Sequence, residues 1–327
     1  MQGRTADDYS APLFLAWQLT NRCTARCIAC CEESGPDKGW RDELSRDESM
    51  DLVARIIDFG IGYVAFGGGE PLGVPHCWEV FEAPARGGVA LKLETDGTRI
   101  DDAAADRLAS LDVQCVQISI DGATAATHER VRPGQRFDAA CAAIERLAAR
   151  GRPPQFVFVP NRFNLHEIVA AYDLAVGLGC EAFVTGPMMR IGRAAAAWND
   201  IACSDDEWQR AAASLRSHAS AQRTDTALSI YPWDIVTEME TRLASPQAML
   251  LVVPNGKIKL LNALPFAPAD LRRDTLEEAW RAYRGAWRTD EVRSFVAACR
   301  TDPSLLLHAN ETWPMGLPRR IPIVERA

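Results

Sequence analysis

The sequence predicts an α/β fold in which a parallel sheet is wound with helices. Three observations predict it. Short apolar runs recur roughly every 30 residues, helical patterns fill the gaps between them, and the first of those patterns carries its own start and stop signals. LFLAWQLT (13–20) is the first strand. In LSRDESMDLVARIIDFG, Ser45 and Glu48 form an S-x-x-E capping box, Met50, Val53, Ile56 and Ile57 follow at helical spacing, and Gly60 suits the stop. IGYVAF (61–66), VALKLET (89–95), VQCVQISI (113–120), QFVFVP (155–160) and EAFVTG (181–186) are the next strands, with helices expected at 101–110, near 137–150 and near 165–178. About six βα repeats result. In such folds chemistry sits on the loops that follow the strands' carboxyl ends.

Composition narrows the function. Of 327 residues 47% are apolar and 24% charged, as in ordinary globular proteins. A formal charge of −8 argues against nucleic acid as the main partner, since phosphate contacts need a basic surface. No apolar run is long enough to span a bilayer, and MQGRTADDYS lacks the apolar core of a signal peptide. A cytoplasmic setting is therefore expected. In a reducing compartment ten cysteines are not a disulfide framework, so clustered ones point to metal or redox chemistry.

Cys77, Cys115, Cys141, Cys180, Cys203 and Cys299 are scattered singly and read as small buried hydrophobes. Cys23, Cys27 and Cys30 differ, with the spacing C-x3-C-x2-C directly after the first strand. A zinc site wants four protein ligands, often as two separated pairs; here no second CxxC exists, and His76 is the first histidine. Three thiolates on one loop suit a 4Fe–4S cluster with one iron left open to a small molecule. Cys31 adjoins Cys30 and points poorly at the same cube, so it reads as packing or as a shielded bystander. A second loop, GGGEPLG (67–73), follows the second strand. Its glycines allow close backbone approach, Glu70 can accept from an ammonium group, and Pro71 stiffens the turn.

Together these motifs resemble the radical S-adenosylmethionine (radical SAM) enzymes, whose signature is C-x3-C-x2-C after the first strand and G-G-E-P after the second. The resemblance covers roughly residues 12–200. It implies a partial (β/α)6, TIM-like barrel. Cys23, Cys27 and Cys30 would ligate one 4Fe–4S cluster, the open iron would be chelated by S-adenosylmethionine, and Gly68, Gly69 and Glu70, with Pro71, would hold its amino group. One electron, from a donor such as flavodoxin or ferredoxin, would cleave the cofactor's C5′–S bond, and the 5′-deoxyadenosyl radical would take a hydrogen atom from substrate. LETDGT (93–98) stands where the family often carries T-N-G-T. Ser119 and Asp121 in SIDGA match its fourth-strand end as ribose or substrate contacts, with a plain Asp-Gly turn as the alternative for Asp121. Asn164 fits the fifth-strand loop. Arg190 and Arg193 in GPMMRIGRA stand where an arginine approaches the cofactor's carboxylate. Ala29 replaces the family's usual aromatic before the third cysteine.

The C-terminal part departs further. MLLVVPNGKIKLLNALPFAPADLRRDTLEEAW is similar to the family's cysteine-rich SPASM or twitch extension, a β-hairpin followed by a helix, which normally holds additional clusters. Asn262 stands near one expected cysteine, and Cys299 alone remains. The expected organisation is a tail (1–12), a barrel (13–200), a connector that lines the substrate site (201–245) and a degenerate extension without a cluster (246–327). For the step after hydrogen abstraction the candidates are Cys115 or Cys299 as hydrogen donors and Tyr231, Asp234 or Glu94 as acid or base. Decarboxylation, rearrangement, epimerisation and oxidation all stay open. The favoured substrate is a small natural-product intermediate (sugar, nucleoside or amino acid). The alternatives are a ribosomally made peptide or, in another class, a non-catalytic iron–sulfur or zinc-binding barrel protein.

Overall fold

The six expected strands form as β1 (Phe14–Gln18), β2 (Tyr63–Gly67), β3 (Ala90–Thr95), β4 (Cys115–Ser119), β5 (Gln155–Phe158) and β6 (Ala182–Thr185). The computed structural model describes residues 4–111 and 113–315. Further strands are β7 (Ala227–Ile230), β8 (Met249–Val252), β9 (Lys257–Lys259), β10 (Phe266–Ala267), β11 (Ala269–Asp270) and β12 (Trp313–Pro314). The helices are α1 (Arg46–Phe59), α2 (Cys77–Arg86), α3 (Asp102–Ser110), α4 (Ala125–Val131), α5 (Phe137–Ala149), α6 (Ile168–Gly177), α7 (Arg193–Ala196), α8 (Trp198–Ile201), α9 (Asp205–Ala221), α10 (Ile235–Ala244), α11 (Leu276–Ala286) and α12 (Asp290–Thr301).

Ten strands build one sheet in the order β11-β9-β8-β1-β2-β3-β4-β5-β6-β7. From β8 through β7 every neighbour is parallel, with β1 at the centre of the chain crossings: Leu15 lies opposite Val64 on one side and Leu250 on the other. The sheet is not closed, since β7 and β11 are its edges. β10 and β12 pair separately.

Local signals act as expected. Ser45 and Glu48 close a reciprocal capping box on α1, and Gly60 ends it in the left-handed region at φ 77°. Ser204 and Glu207 do the same for α9. Burial then alternates along the strands. Leu15 and Trp17, Val64 and Phe66, Leu91 and Leu93, and Val116 and Ile118 are buried. Trp17 meets Phe66 at 5.9 Å between ring centroids, and Phe66 meets Phe81 of α2 at 4.8 Å. Each such side chain contributes roughly 1.5–3 kcal/mol of burial. The alternate residues face the other way and are half-buried or exposed; among them are Gln18, Lys92, Glu94, Gln117 and Gln155. Closed eight-stranded barrels fill this inner face with branched aliphatic layers, whereas here it mixes these polar side chains with Phe14, Ala16, Tyr63, Ala65, Ala90, Val157 and Val184.

The C-terminal part joins the same architecture. Segment 201–245, expected as a connector, supplies β7 and extends the sheet beyond six parallel strands. The expected hairpin is β8 and β9, turning at Gly256 (φ 80°), and β8 adds to β1 on the side opposite β2. Among the described residues no helix is long and apolar enough to cross a membrane.

Candidate active site

The site is the cysteine loop between β1 and α1. It has no regular structure of its own, so its backbone groups must find partners elsewhere, and four segments supply them. After β2, Gly69 N–H donates to Thr20 O at 2.7 Å and Glu70 N–H donates to Arg22 O at 3.0 Å. Only glycine permits this approach: a Cβ on Gly68 would meet Thr20 O at 2.5 Å, and one on Gly69 would meet Arg22 O at 2.1 Å. After α4, the carbonyls of Val131 and Pro133 accept from Ile28 and Arg26 N–H at 2.9 and 2.8 Å. After β6, Arg193 donates through Nε to Cys27 O (2.7 Å), through Nη2 to Ser34 O (2.6 Å) and through its amide to Cys30 O (3.0 Å). Near the C-terminus, Asn310 Nδ2 donates to Cys31 O at 2.8 Å.

Each thiol of the triplet has a separate donor. Cys23 Sγ accepts from Ala25 N–H at 3.5 Å, Cys30 Sγ from Ser34 N–H at 3.3 Å, and Cys27 Sγ from Arg132 Nη1 at 3.9 Å. Burial pushes the Cys23 thiol up to about 12 and the Cys27 thiol to about 11, and it raises Cys30 as well; Arg132 opposes the shift at Cys27. Desolvated thiols with donors aimed at sulfur suit thiolates whose charge a bound metal compensates. Among the described residues no three His, Cys, Asp or Glu side chains converge as the ligands of one ion do. Cys31 turns away from this set: its Sγ donates to Glu32 Oε2 at 2.8 Å, and Glu32 accepts from Gln18 at 3.1 Å.

Glu70 is placed differently from the expectation of an open ammonium acceptor. Its buried carboxylate accepts from Thr95 Oγ1 (2.8 Å), Asp96 N–H (2.9 Å) and Leu72 N–H (3.0 Å), so it ties the β2 loop to the end of β3. Burial, then the neighbouring Asp96, pushes it up to about 8. Pro71 opens the short turn that follows. Among the described residues, Asp96 Oδ2 is the buried carboxylate oxygen without a hydrogen-bond partner, and Arg190 Nε at the β6 end is likewise buried without one. Beside Cys23 a cavity of about 470 Å³ is lined by Thr20, Arg22, Glu70, His76 and Arg99 among others.

Asp121 and Asn164 are inside the site but do not face open space. Asp121 binds Arg132 Nε at 2.6 Å and accepts from Val159 N–H at 2.7 Å. Asn164, fully buried, donates to Asp121 O and Val159 O. Ser119 ends β4 on the inner face, half-buried. The remaining candidates separate. Cys115 is on the inner face at the amino end of β4, away from the cysteine loop. Glu94 is exposed on the same face and pairs with Lys92 at 2.7 Å. Tyr231 follows β7 and hydrogen-bonds Glu238, and Asp234 caps α10 by accepting from Val236 and Thr237 N–H. Cys299 is 0% exposed in the core, so it packs and reaches no site. The residue missed by sequence reasoning is Arg132: it lies 105 positions from Cys27, and nothing local marks it.

Fold and site define an open α/β barrel protein whose first loop presents three hydrogen-bonded thiols. Residues 17–175 match the model of the Radical SAM superfamily and form a radical SAM domain; members of that superfamily use a 4Fe–4S cluster and S-adenosylmethionine. The chain is 35% identical over 193 residues to the mycofactocin maturase MftC of Mycobacterium ulcerans, covering 58% of this chain and 51% of that one. It is 32% identical over 188 residues to the AdoMet-dependent heme synthase of Methanosarcina barkeri, covering 56% and 53%. The chain therefore spans about half the length of the curated relatives it matches. In fold it resembles SuiB of Streptococcus suis bound to S-adenosylmethionine (TM-score 0.71, 13% identity, 93% of this chain and 77% of that one) and SuiB bound to the precursor peptide SuiA (TM-score 0.69, 14% identity, 86% and 67%).

Proposed function

We propose that this protein is a radical SAM enzyme acting on a ribosomally made peptide, with Cys23, Cys27 and Cys30 holding its cluster. The observation that carries the reading is the clasped thiol triplet at the end of an unclosed parallel sheet whose inner face carries Gln18, Lys92, Glu94, Gln117 and Gln155. When bound, cluster and S-adenosylmethionine together supply one-electron cleavage of the sulfonium and hence hydrogen-atom abstraction. The chain's own residues do the rest. The four clasps fix the thiols before any metal arrives. Asp96, through the Oδ2 that has no partner, would hold the cofactor's ammonium, and Arg190 would hold its carboxylate. Lys92, Glu94, Gln117 and Gln155 offer donors and acceptors that suit a chain of amides, and the open edge at β7 leaves lateral room for a polymer. Likeness to a maturase and to a peptide-bound enzyme supports this substrate class over the small metabolite expected from sequence. Likeness to a heme synthase supports the small-molecule reading as the second choice. The electron donor is a flavodoxin or ferredoxin. The segment 246–327 serves as a degenerate, cluster-free extension.

The test is anaerobic turnover of the iron- and sulfide-reconstituted chain with S-adenosylmethionine, a one-electron reductant and short peptides encoded beside its gene, read by mass spectrometry. Release of 5′-deoxyadenosine with a mass or stereochemical change in a peptide supports the proposal. Cofactor cleavage with change only in a small metabolite overturns the peptide assignment. No cleavage by iron-loaded protein overturns the activity.

A further inference from the structure

The three thiol donors are not alike: two are backbone amides, and the third is a guanidinium. Arg132 is set opposite Cys27 by register, because the carbonyls on either side of it, Val131 O and Pro133 O, accept from Ile28 and Arg26 N–H on either side of Cys27. The side chain is aimed as carefully as the backbone. Asp121 Oδ2 takes Nε at 2.6 Å, which leaves Nη1 directed at Cys27 Sγ, 3.9 Å away. Asp121 is itself held from three sides: Val159 N–H donates to its Oδ1, its own N–H donates to His128 Nδ1 at 3.1 Å, and Asn164 donates to its carbonyl at 3.1 Å. The pair is shielded from water, with side chains 12% and 2% exposed, so its field is little screened.

We propose that Arg132, positioned by Asp121, is the charged donor to the Cys27 sulfur and raises the reduction potential of the cluster. This rests on the cluster assignment above. Reduction adds negative charge to an already anionic thiolate-bound cluster, and hydrogen bonds to sulfur and nearby charge are among the levers that set such potentials. A cation in contact with one ligand favours the reduced form. The two backbone donors cannot be varied by side-chain substitution; Arg132 can. The same reasoning gives Asp121 and Asn164 a positioning role, acting through Arg132 rather than on the cofactor's ribose.

The test is a potentiometric titration of the reconstituted full chain without S-adenosylmethionine, followed by the electron paramagnetic resonance signal of the reduced cluster. Iron and sulfide content are measured first; wild-type protein that binds neither overturns the cluster assignment itself and leaves no Arg132 effect to measure. In Arg132→Gln at wild-type iron content, the reduced-to-oxidised ratio at fixed potential should fall by about tenfold, equal to about 59 mV for one electron. Arg132→Lys, which keeps a charge without the fork geometry, should fall between. Arg130→Gln removes a charge two residues earlier in the chain, at a side chain stacked on Phe163 (4.0 Å) instead of aimed at a thiol, and should leave the midpoint in place. An unchanged midpoint in Arg132→Gln, or an equal shift in Arg130→Gln, overturns the proposal. If Arg132→Gln loses its iron, recovery in Arg132→Lys supports the charge, and failure of both variants overturns it in favour of a purely structural role.

Discussion

Gly69→Ala probes how tightly the β2 loop grips the cysteine loop. The added Cβ would lie 2.1 Å from Arg22 O and 2.6 Å from Arg22 C, both backbone atoms without a rotamer to yield. Gly69 is not in the left-handed region, so backbone conformation adds nothing and the cost is steric alone. To reach ordinary contact the two loops must part by more than an ångström. That breaks Gly69 N–H to Thr20 O (2.7 Å) and Glu70 N–H to Arg22 O (3.0 Å). Two such hydrogen bonds are worth about 1 kcal/mol each, and forced overpacking costs roughly 1–3 kcal/mol, so a destabilisation of about 3–5 kcal/mol is expected. Because Cys23 follows Arg22 directly, iron retention should fall as well. Urea unfolding followed by tryptophan fluorescence gives the stability, with bound iron measured in parallel. Gly62→Ala is the control: nothing lies within 4 Å of its Cβ, and its effect should stay within about 0.5 kcal/mol. A Gly69→Ala loss below about 1 kcal/mol with full iron content would refute the grip.

Arg193→Ala removes charge-assisted bonds to Cys27 O and Ser34 O, at about 1.5–3 kcal/mol each, and hydrogen exchange across residues 27–35 should accelerate by at least about tenfold while the strands stay protected. Cys27→Ala should lower bound iron, whereas Cys299→Ser should cost about 1–3 kcal/mol of stability for a buried hydroxyl and leave iron content unchanged, because Cys299 lies in the core. Burial, aided by Arg132, depresses His128 to about 3, so the unfolded chain binds its proton first as pH falls below about 6.5. The fold should lose up to about 5 kcal/mol between those limits, and His128→Asn, whose Oδ1 can replace Nδ1 as acceptor for Asp121 N–H, should flatten that acid limb in pH-dependent unfolding.

Legibility of the sequence followed the range of the forces involved. Capping at Ser45 and Ser204 was readable because its partners lie three residues on, and the six strands were readable because each is a short run that buries its own residues. β7 was not readable as a strand: Ala227–Ile230 is an edge with alternate residues exposed, so it lacks the continuous apolar run. The thiol triplet and the GGEP loop stood out by spacing, but what their neighbours do did not. Glu70 looked like an open acceptor because its partners, Thr95 and Asp96, belong to another repeat. Arg193 was expected at a cofactor carboxylate and instead holds the carbonyls of the cysteine loop. Both contacts depend on how βα units assemble, which no local pattern encodes.

That assembly bears on how the site works. A loop that bonded only to itself could set its thiols independently of the barrel. This loop takes its hydrogen bonds from the ends of β2, α4 and β6 and from Asn310 near the C-terminus, so thiol spacing is set by the relative placement of four distant segments. The arrangement lowers the ordering cost when the metal arrives, because the constraint is met in folding. It also couples the first loop to the C-terminal segment: Asn310 Nδ2 reaches both Cys31 O and Glu33 Oε2 (2.9 Å). The C-terminal segment therefore has a physical reason to be kept, as one of the clasps on the cysteine loop.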